Sequence, residues 1–152
     1  MQTRREMLSK SATVAGLLAT AGLLPAPAYA AWTQAAFDAK TLADAVKALG
    51  GGAPTESKDV TITGPDIAEN GAVVPVGCAC ALPGVKRLLL LVEKNPSVLA
   101  AVFDVSDAVD ASFSSRVKMG QSSNVIAVAM MADNRVLFAQ KEIKVTLGGC
   151  GG

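Results

Sequence analysis

The sequence predicts a mainly β protein: an immunoglobulin-like antiparallel β-sandwich with one N-terminal helix and a flexible C-terminal tail. After residue 59, apolar residues alternate with polar ones in several short segments, and turn-forming residues separate these segments. Before that point, apolar residues recur at three- and four-residue spacings, as they do on one face of a helix. We expect residues 31–147 to form one domain, long enough to bury a core.

Residues 1–30 are predicted to be an export signal rather than part of this fold. A basic start precedes a short apolar stretch, and Ala-Tyr-Ala ends the segment before Ala31. The pair Arg4-Arg5 in "TRREMLSK" resembles the bacterial twin-arginine export box, whose route carries proteins that are already folded. The alternative is an ordinary signal peptide with two arginines by chance. The expected location is the periplasm.

The helix is expected over residues 31–49, where one face is apolar. Gly50-Gly51-Gly52 ends it, and Pro54 is consistent with that stop. We expect it to pack on the sandwich or on a partner. The residues of its apolar face are Trp32, Ala35, Ala39, Leu42, Val46 and Leu49.

The strands are expected in the segments 59–63, 72–82, 86–94, 98–106, 111–119, 123–131 and 135–147. Pro75 predicts a sheet edge or a bulge for the second segment, because proline cannot donate a ladder hydrogen bond. The continuous apolar run in 86–94 is typical of a strand covered on both faces. Residues 132–134, "ADN", predict a hairpin between the last two strands, and residues 64–71, "GPDIAENG", a turn-rich connection.

Composition excludes several kinds of site. The chain has no histidine, so it cannot alone form a catalytic triad, a Cys-His pair or a zinc site with imidazole ligands. Three of the 14 basic and one of the 13 acidic residues fall within residues 1–30, so the remainder has a formal net charge of −1. No basic patch indicates nucleic acid, and no later apolar segment is long enough for a membrane.

The chain ends in a cysteine, Cys150, between two pairs of glycines, which are Gly148, Gly149, Gly151 and Gly152. Ordering a backbone residue costs ~1–2 kcal/mol, and glycine gains no burial in return, so residues 148–152 are expected to form a flexible tether. No basic residue lies nearer in sequence than Lys144, so nothing activates the thiol. The pattern favours a carrier that other enzymes load and unload over an enzyme. The alternative is a frayed terminus.

Cys78 and Cys80, in "VGCAC", lie at positions i and i+2 of a predicted strand, so they share one face. Parallel side chains are poorly placed for a disulfide. We interpret both residues as small, core-facing apolar side chains. A redox role and a Cu(I) site remain as alternatives, and no other metal site is expected.

Four segments together resemble the SoxY family, the sulfur-carrier subunits of the periplasmic thiosulfate-oxidising (Sox) system. They are the leader, the loop "GPDIAENGAVVPV", the hairpin "NVIAVAMMADNRVLFAQKEIKVTL" and the tail "VTLGGCGG". The resemblance implies covalent attachment of sulfur intermediates to Cys150, with Gly148, Gly149, Gly151 and Gly152 as its flexible flanks. It implies no cofactor and no catalysis by this chain.

The same resemblance implies the partners. SoxZ, a second β-sandwich protein without its own signal, would form a heterodimer with this chain and be exported with it. The haem protein SoxXA would join thiosulfate to Cys150, SoxB would hydrolyse off sulfate, and SoxCD, where present, would oxidise the remaining persulfide. Cys78 and Cys80 do not belong to the motif of the family.

Three other functions are alternatives to the carrier. A ubiquitin-like sulfur carrier also ends in Gly-Gly, but it would carry sulfur on Gly152, and its helix would lie between strands. A periplasmic immunoglobulin-like binding or structural module would not need the last five residues. A dithiol oxidoreductase would need Cys78 and Cys80 and could dispense with Cys150.

Overall fold

A computed structural model of the protein divides the chain into two compact units, Met1–Trp32 and Thr33–Gly152. The structure describes residues 33–146 of the second unit. Of the first unit it describes residues 6–8, 10 and 13, which are helical. Within these described residues, no helix has the length and apolar character needed to cross a membrane.

Residues 33–146 form two short helices followed by nine strands. The helices are α1 (Gln34–Asp38) and α2 (Leu42–Ala48). The strands are β1 (Pro54–Glu56), β2 (Val60–Thr63), β3 (Ile67–Ala68), β4 (Val74–Cys80), β5 (Val85–Val92), β6 (Leu99–Asp104), β7 (Ser112–Val117), β8 (Ser123–Met131) and β9 (Val136–Val145).

The strands form two sheets that face each other, and the predicted sandwich is confirmed. The larger sheet has the order β1-β9-β8-β5-β6, with β3 pairing beside the far end of β9, and the smaller sheet has the order β2-β4-β7. Pairs among the long strands are antiparallel, whereas β1 and β3 run parallel to β9. The predicted hairpin joins β8 to β9, and its turn contains Asn134 with a φ of 67°.

Strand β5 separates two hydrophobic clusters. Its side chains alternate, so that Leu88, Leu90 and Val92 pack between the two sheets. Leu89 and Leu91 pack on the opposite side, beneath the helices. All five are at most 1% exposed, so the prediction of a strand covered on both faces is confirmed.

The predicted helical segment is present, but it is broken into two helices. Thr41 is extended, and its hydroxyl oxygen accepts a hydrogen bond at 3.1 Å from the backbone N–H of Asp44, which makes it the N-cap of α2. The break shifts the buried face: Ala36 is fully buried, whereas Ala35, predicted to face inward, is exposed. Trp32 lies outside the described residues. The helices pack on the larger sheet, as expected.

The prediction that Pro75 places its strand at an edge or a bulge is wrong for β4, the middle strand of the smaller sheet. Pro75 pairs with Arg116 of β7 on one side. On the other side, the pairing with β2 ends at Gly77, opposite Thr63. The proline is tolerated because it lies beyond the end of β2, where the ladder no longer extends.

Candidate functional site: the end of strand β9

The predicted attachment residue Cys150 lies outside the described residues, as do its flanking glycines Gly148, Gly149, Gly151 and Gly152. The predicted export residues Arg4 and Arg5 lie outside them too. The last described residue is Thr146, four positions before Cys150. Four residues span at most roughly 14 Å at ~3.5 Å each, so covalent geometry keeps the Cα of Cys150 within that distance of the Cα of Thr146. The surroundings of Thr146 are therefore the part of the described structure that lies within reach of this thiol.

Strand β3 holds one side of the end of β9. The backbone N–H of Lys144 donates to the carbonyl of Asp66 at 2.9 Å, and that of Thr146 donates to the carbonyl of Ala68 at 3.1 Å. Ala68 is buried and fixes β3 to the core. The connection predicted as turn-rich thus contains a short parallel strand that carries the ladder to the last described residue.

A serine hydroxyl holds the other side. Strand β8 begins at Ser123, opposite Ile143, so it provides no backbone partner for Val145. The side chain of Ser122 takes that place: its Oγ accepts a hydrogen bond at 2.9 Å from the backbone N–H of Val145. The end of β9 is therefore fixed from both sides, although the neighbouring strand has already ended.

Gly71 lets the loop before β4 approach β9 closely. Its carbonyl accepts a hydrogen bond at 2.7 Å from the backbone N–H of Met119. A Cβ at Gly71 would lie 2.4 Å from the carbonyl oxygen of Met119 and 2.9 Å from Val145 Cγ1. No side chain fits at those distances, so glycine is needed here for close packing.

An ion pair stabilises the start of the same loop. Lys141 Nζ lies 2.9 Å from Asp66 Oδ1 and donates to the carbonyl of Gly64 at 2.6 Å. The hydrogen bond from Lys141, and then its positive charge, lower the pKa of the Asp66 carboxyl. Asp66 is 89% exposed, so solvent screens this pair and it contributes mainly to the local geometry.

The other two cysteines lie in the core. Cys78 and Cys80 are free thiols, 2% and 9% exposed, and both belong to the cluster between the sheets. Burial raises the pKa of the Cys78 thiol to about 11, and a backbone hydrogen bond at Phe113 acts in the opposite direction. A neutral, buried thiol is a poor nucleophile and a poor redox centre. The geometry supports their interpretation as packing residues.

Comparison with known proteins identifies the family. The family model described as "Sulfur oxidation protein SoxY" matches residues 45–150, a span that includes β1 to β9 and ends at Cys150. The chain belongs to the SoxY family. The solved structure of the sulfur carrier protein SoxY from Chlorobium limicola f thiosulfatophilum is 34% identical, with a TM-score of 0.57. The match covers 62% of this chain and 84% of that one.

A more distant likeness concerns the fold alone. The superoxide reductase (neelaredoxin) from Ignicoccus hospitalis is 17% identical with a TM-score of 0.51, and the match covers 57% of this chain and 80% of that one. At this identity the likeness extends to the sandwich fold and says nothing of the chemistry of this chain. No curated protein sequence matches the chain.

The sequence predicts Cys150 as the attachment residue, but it does not predict the contacts that fix β9 up to Thr146. Ser122 and Gly71 carried no recognisable pattern, because their roles depend on contacts with β9 across long sequence distances. One signal was available: in "DIA" at 66–68, the apolar residues Ile67 and Ala68 interrupt a loop that otherwise contains glycine, proline and polar residues. Alternation over two residues is too short to predict a strand.

Proposed function

We propose that this chain is a covalent carrier of sulfur intermediates, attached through the Cys150 thiol, during the oxidation of thiosulfate. The observation that carries the proposal is the family match, which extends to Cys150 itself. The 34% identical relative, named a sulfur carrier protein, supports the same role. The secure anchorage of β9 up to Thr146 agrees with it, because a carrier needs a fixed point from which its attachment residue extends.

The proposed chemistry uses Cys150 as an attachment point. The thiolate and thiosulfate form an S–S bond and give a cysteine S-thiosulfonate, while two electrons pass to the haem protein SoxXA. SoxB then adds water across the terminal S–S bond, which releases sulfate and two protons and leaves a persulfide on the cysteine. Where SoxCD is present, it oxidises the outer sulfur of that persulfide with three waters to a cysteine S-sulfonate, in which an S–SO₃ group is attached to the cysteine sulfur, accepts six electrons and releases six protons. A second hydrolysis releases sulfate and restores the thiolate.

The proposal includes the organisation of the protein. Residues 1–30 are a twin-arginine signal with Arg4 and Arg5 at its centre, residues 31–147 the carrier domain and residues 148–152 a flexible tail. The mature chain would lie in the periplasm as a heterodimer with SoxZ. Export in a folded state would let SoxZ, which lacks a signal, travel with it.

The chain is proposed to serve other enzymes rather than to catalyse. Among the described residues, both cysteines are buried, and no three His, Cys, Asp or Glu side chains are grouped to hold a metal ion. The oxidants and the hydrolytic machinery would then belong to the partners. The burial of Cys78 and Cys80 disfavours the dithiol oxidoreductase alternative.

The test is intact-protein mass spectrometry of the periplasmic protein, isolated without reductant from cells given thiosulfate. We expect sulfur, sulfonate or thiosulfonate adducts that map to Cys150 and disappear on treatment with a thiol reductant. Cys150→Ser is expected to abolish the adducts and thiosulfate-dependent respiration while leaving thermal unfolding unchanged.

Cys78→Ala is the matched control, because it removes a thiol without touching the tail, and it is expected to keep the adducts. Wild-type protein that carries only free thiol at Cys150, or adducts confined to Cys78 and Cys80, would contradict the proposal. Sulfur on the carboxyl group of Gly152 would instead favour the ubiquitin-like alternative.

A further inference from the structure

A cavity of about 420 Å³ lies at the opposite end of the sandwich from Thr146. Its walls come from the end of α2, the start of β5, the end of β6 and the hairpin between β8 and β9. Val136, at the start of β9, lines this cavity. Nine steps of ~3.3 Å separate it from Val145, so the two ends of β9 lie about 30 Å apart. The last residues extend at most roughly 14 Å beyond Thr146, so Cys150 does not reach the cavity.

A β-bulge in β5 brings two basic side chains to this cavity. Val85 pairs with Met131 of β8, and the next pair joins Arg87 to Met130. Lys86 is therefore the extra residue between the two pairs. Consecutive residues of a regular strand point to opposite faces, but here Lys86 and Arg87 both line the cavity, while Val85 stays in the core between the sheets. Bulges redirect side chains in this way and are frequent beside functional sites.

A third basic side chain reaches the cavity from the hairpin. Asn134 has a φ of 67°, and the residue after it, Arg135, lines the cavity. Asp133 holds Arg135 in place, because its Oδ1 accepts a hydrogen bond at 3.1 Å from the backbone N–H of Arg135 and its Oδ2 lies 2.7 Å from Arg135 Nε. We call this space, lined by Lys86, Arg87 and Arg135, the basic cavity.

The basic cavity keeps hydrogen-bond donors that its ion pairs do not use. Arg87 Nε lies 2.6 Å from Asp104 Oδ1, and Arg135 is held by Asp133 in the same way, through Nε. Each guanidinium group has four further N–H donors in the same plane. Lys86 is exposed and forms no ion pair with any residue in the part of the chain that the structure describes. Three cations thus face two carboxylates, and the excess charge is positive.

The floor of the basic cavity is apolar. Met130, Met131 and Val136 are at most 9% exposed there, and Leu49 and Val105 are half-buried beside them. Methionine side chains are flexible and polarizable, so they adapt to the shape of a ligand. An inorganic oxyanion would leave this floor uncovered, and an uncharged apolar molecule would leave the guanidinium donors without an acceptor. The volume lies within the range of ~300–1,000 Å³ that is usual for sites of small molecules.

We propose that the basic cavity binds a small amphipathic organic anion. The oxyanion group of this ligand accepts hydrogen bonds from Arg87 and Arg135 and lies beside the ammonium group of Lys86, because guanidinium groups match the geometry of such oxygens. Its apolar body covers Met130 and Met131. The site is separate from Cys150, so its existence does not depend on the proposed carrier function.

The test uses naphthalene sulfonate as the probe, because it joins one oxyanion group to a flat apolar body. It is titrated into the purified full chain, and amide chemical shifts are followed by NMR. We expect saturable binding with a Kd below about 1 mM, which is ordinary for a ligand of this size. The amides expected to shift are those of Gly51, Arg87, Val105, Met131 and Arg135.

The double variant Lys86→Gln, Arg135→Gln removes two charges and keeps long polar side chains. We expect its Kd for the probe to rise about tenfold or more, because charge-assisted hydrogen bonds to the oxyanion are lost. Lys144→Gln is the matched control: this lysine is also exposed, but it lies near the other end of β9, and its loss should change the Kd less than about twofold. Naphthalene methanol, which has no charge, and inorganic sulfate, which has no apolar body, should each bind wild type at least about tenfold more weakly than the probe.

Several results would overturn the proposal: no saturation of the wild-type chain, an equal Kd in the folded double variant, or equally tight binding of naphthalene methanol or of sulfate. Shifts confined to residues outside the basic cavity would do the same. Circular dichroism checks the fold, and Lys86→Gln alone, at an exposed position, keeps the test valid if the double variant unfolds. Cys150→Ser should bind the probe as wild type does, and a loss of binding there would place the probe at the tail and contradict the proposal.

Discussion

At the scale of single residues, burial decides the chemistry of Cys78. The side chain is 2% exposed between the two sheets, and its pKa is raised to about 11 because the thiolate would lose its hydration there. The family match extends to Cys150, the thiol to which we propose that sulfur is attached. A carrier with three thiols avoids competing reactions when Cys78 stays neutral and both Cys78 and Cys80 are buried.

This raised pKa predicts a loss of stability at alkaline pH. Below pH 9.0, the ordinary pKa of a cysteine thiol, the folded and unfolded states both keep the proton of Cys78, so its contribution to the free energy of unfolding is complete. Between that value and about 11, only the unfolded state loses the proton, so the free energy of unfolding falls by up to about 1.4 kcal/mol for each pH unit. Urea unfolding from pH 8 to 10.5 measures this fall.

The comparison protein is Cys78→Ala, which lacks the titrating thiol. It should be about 1 kcal/mol less stable at pH 8, because a small buried side chain is lost. It should then lose less stability than wild type on the way to pH 10.5. Parallel pH profiles in the two proteins would show that Cys78 is not buried as the structure has it.

At the scale of elements, the close contact between the loop before β4 and the end of β9 predicts a strict need for glycine at position 71. A Cβ there would meet the carbonyl oxygen of Met119, which is backbone and cannot rotate away. We expect Gly71→Ala to lower the free energy of unfolding by about 1–3 kcal/mol, the usual cost of overpacking. Amide exchange should also become faster in residues 141–146.

Gly120→Ala provides the matched control, one residue beyond Met119. A Cβ at Gly120 has nothing within 4 Å, so this change should alter stability by less than about 0.5 kcal/mol. Equal effects of the two substitutions would mean that the loop moves freely and does not fix the end of β9.

Several elements could be predicted from the sequence because their patterns are local. The run "RLLLLV" in β5 indicates burial on both faces, and alternation in β7 and β9 gives their inward residues directly. The sequence also contains a signal for the break between the helices. Thr41 followed by Asp44, in "TLAD", is a capping pattern that marks the start of a new helix. The apolar spacing across residues 31–49 predicts a single continuous helix instead. A single helix places Ala35 on the buried face, and this is wrong.

Other features depend on contacts that no local pattern contains. The partner of β3 lies 77 positions further along the chain, as Ile67 pairs with Lys144. Ser122 accepts the hydrogen bond from Val145 that a neighbouring strand would otherwise accept. This role can be recognised only when β8 is known to start at Ser123. Pro75 predicts an edge strand, because the sequence does not show that the pairing of β2 with β4 stops at Gly77 and does not reach the proline. The role of Cys150 therefore stays a prediction from the sequence, whereas the contacts that fix the end of β9 are visible only in the structure.

At the scale of the whole molecule, the sandwich separates two tasks. The rigid part, with β5 buried between both hydrophobic clusters, holds β9 in place up to Thr146. In the proposed carrier function the last residues supply reach, because their number limits how far Cys150 extends from Thr146. A change in the number of these residues should therefore affect kcat of a loading enzyme and leave the stability of the sandwich unchanged.

Deletion of Gly148 and Gly149 tests this separation. The change shortens the maximum reach by roughly 7 Å and leaves residues 33–146 intact, so the cysteine should stop short of the catalytic groups of a bound enzyme. We expect kcat for loading by the thiosulfate-coupling enzyme to fall more than about 100-fold, because a misplacement of ~1 Å already costs that much, while KM stays within about twofold. Insertion of two further glycines at the same place is the control and should reduce kcat far less. A deletion that raised KM and left kcat unchanged would show that the last residues provide binding energy rather than reach.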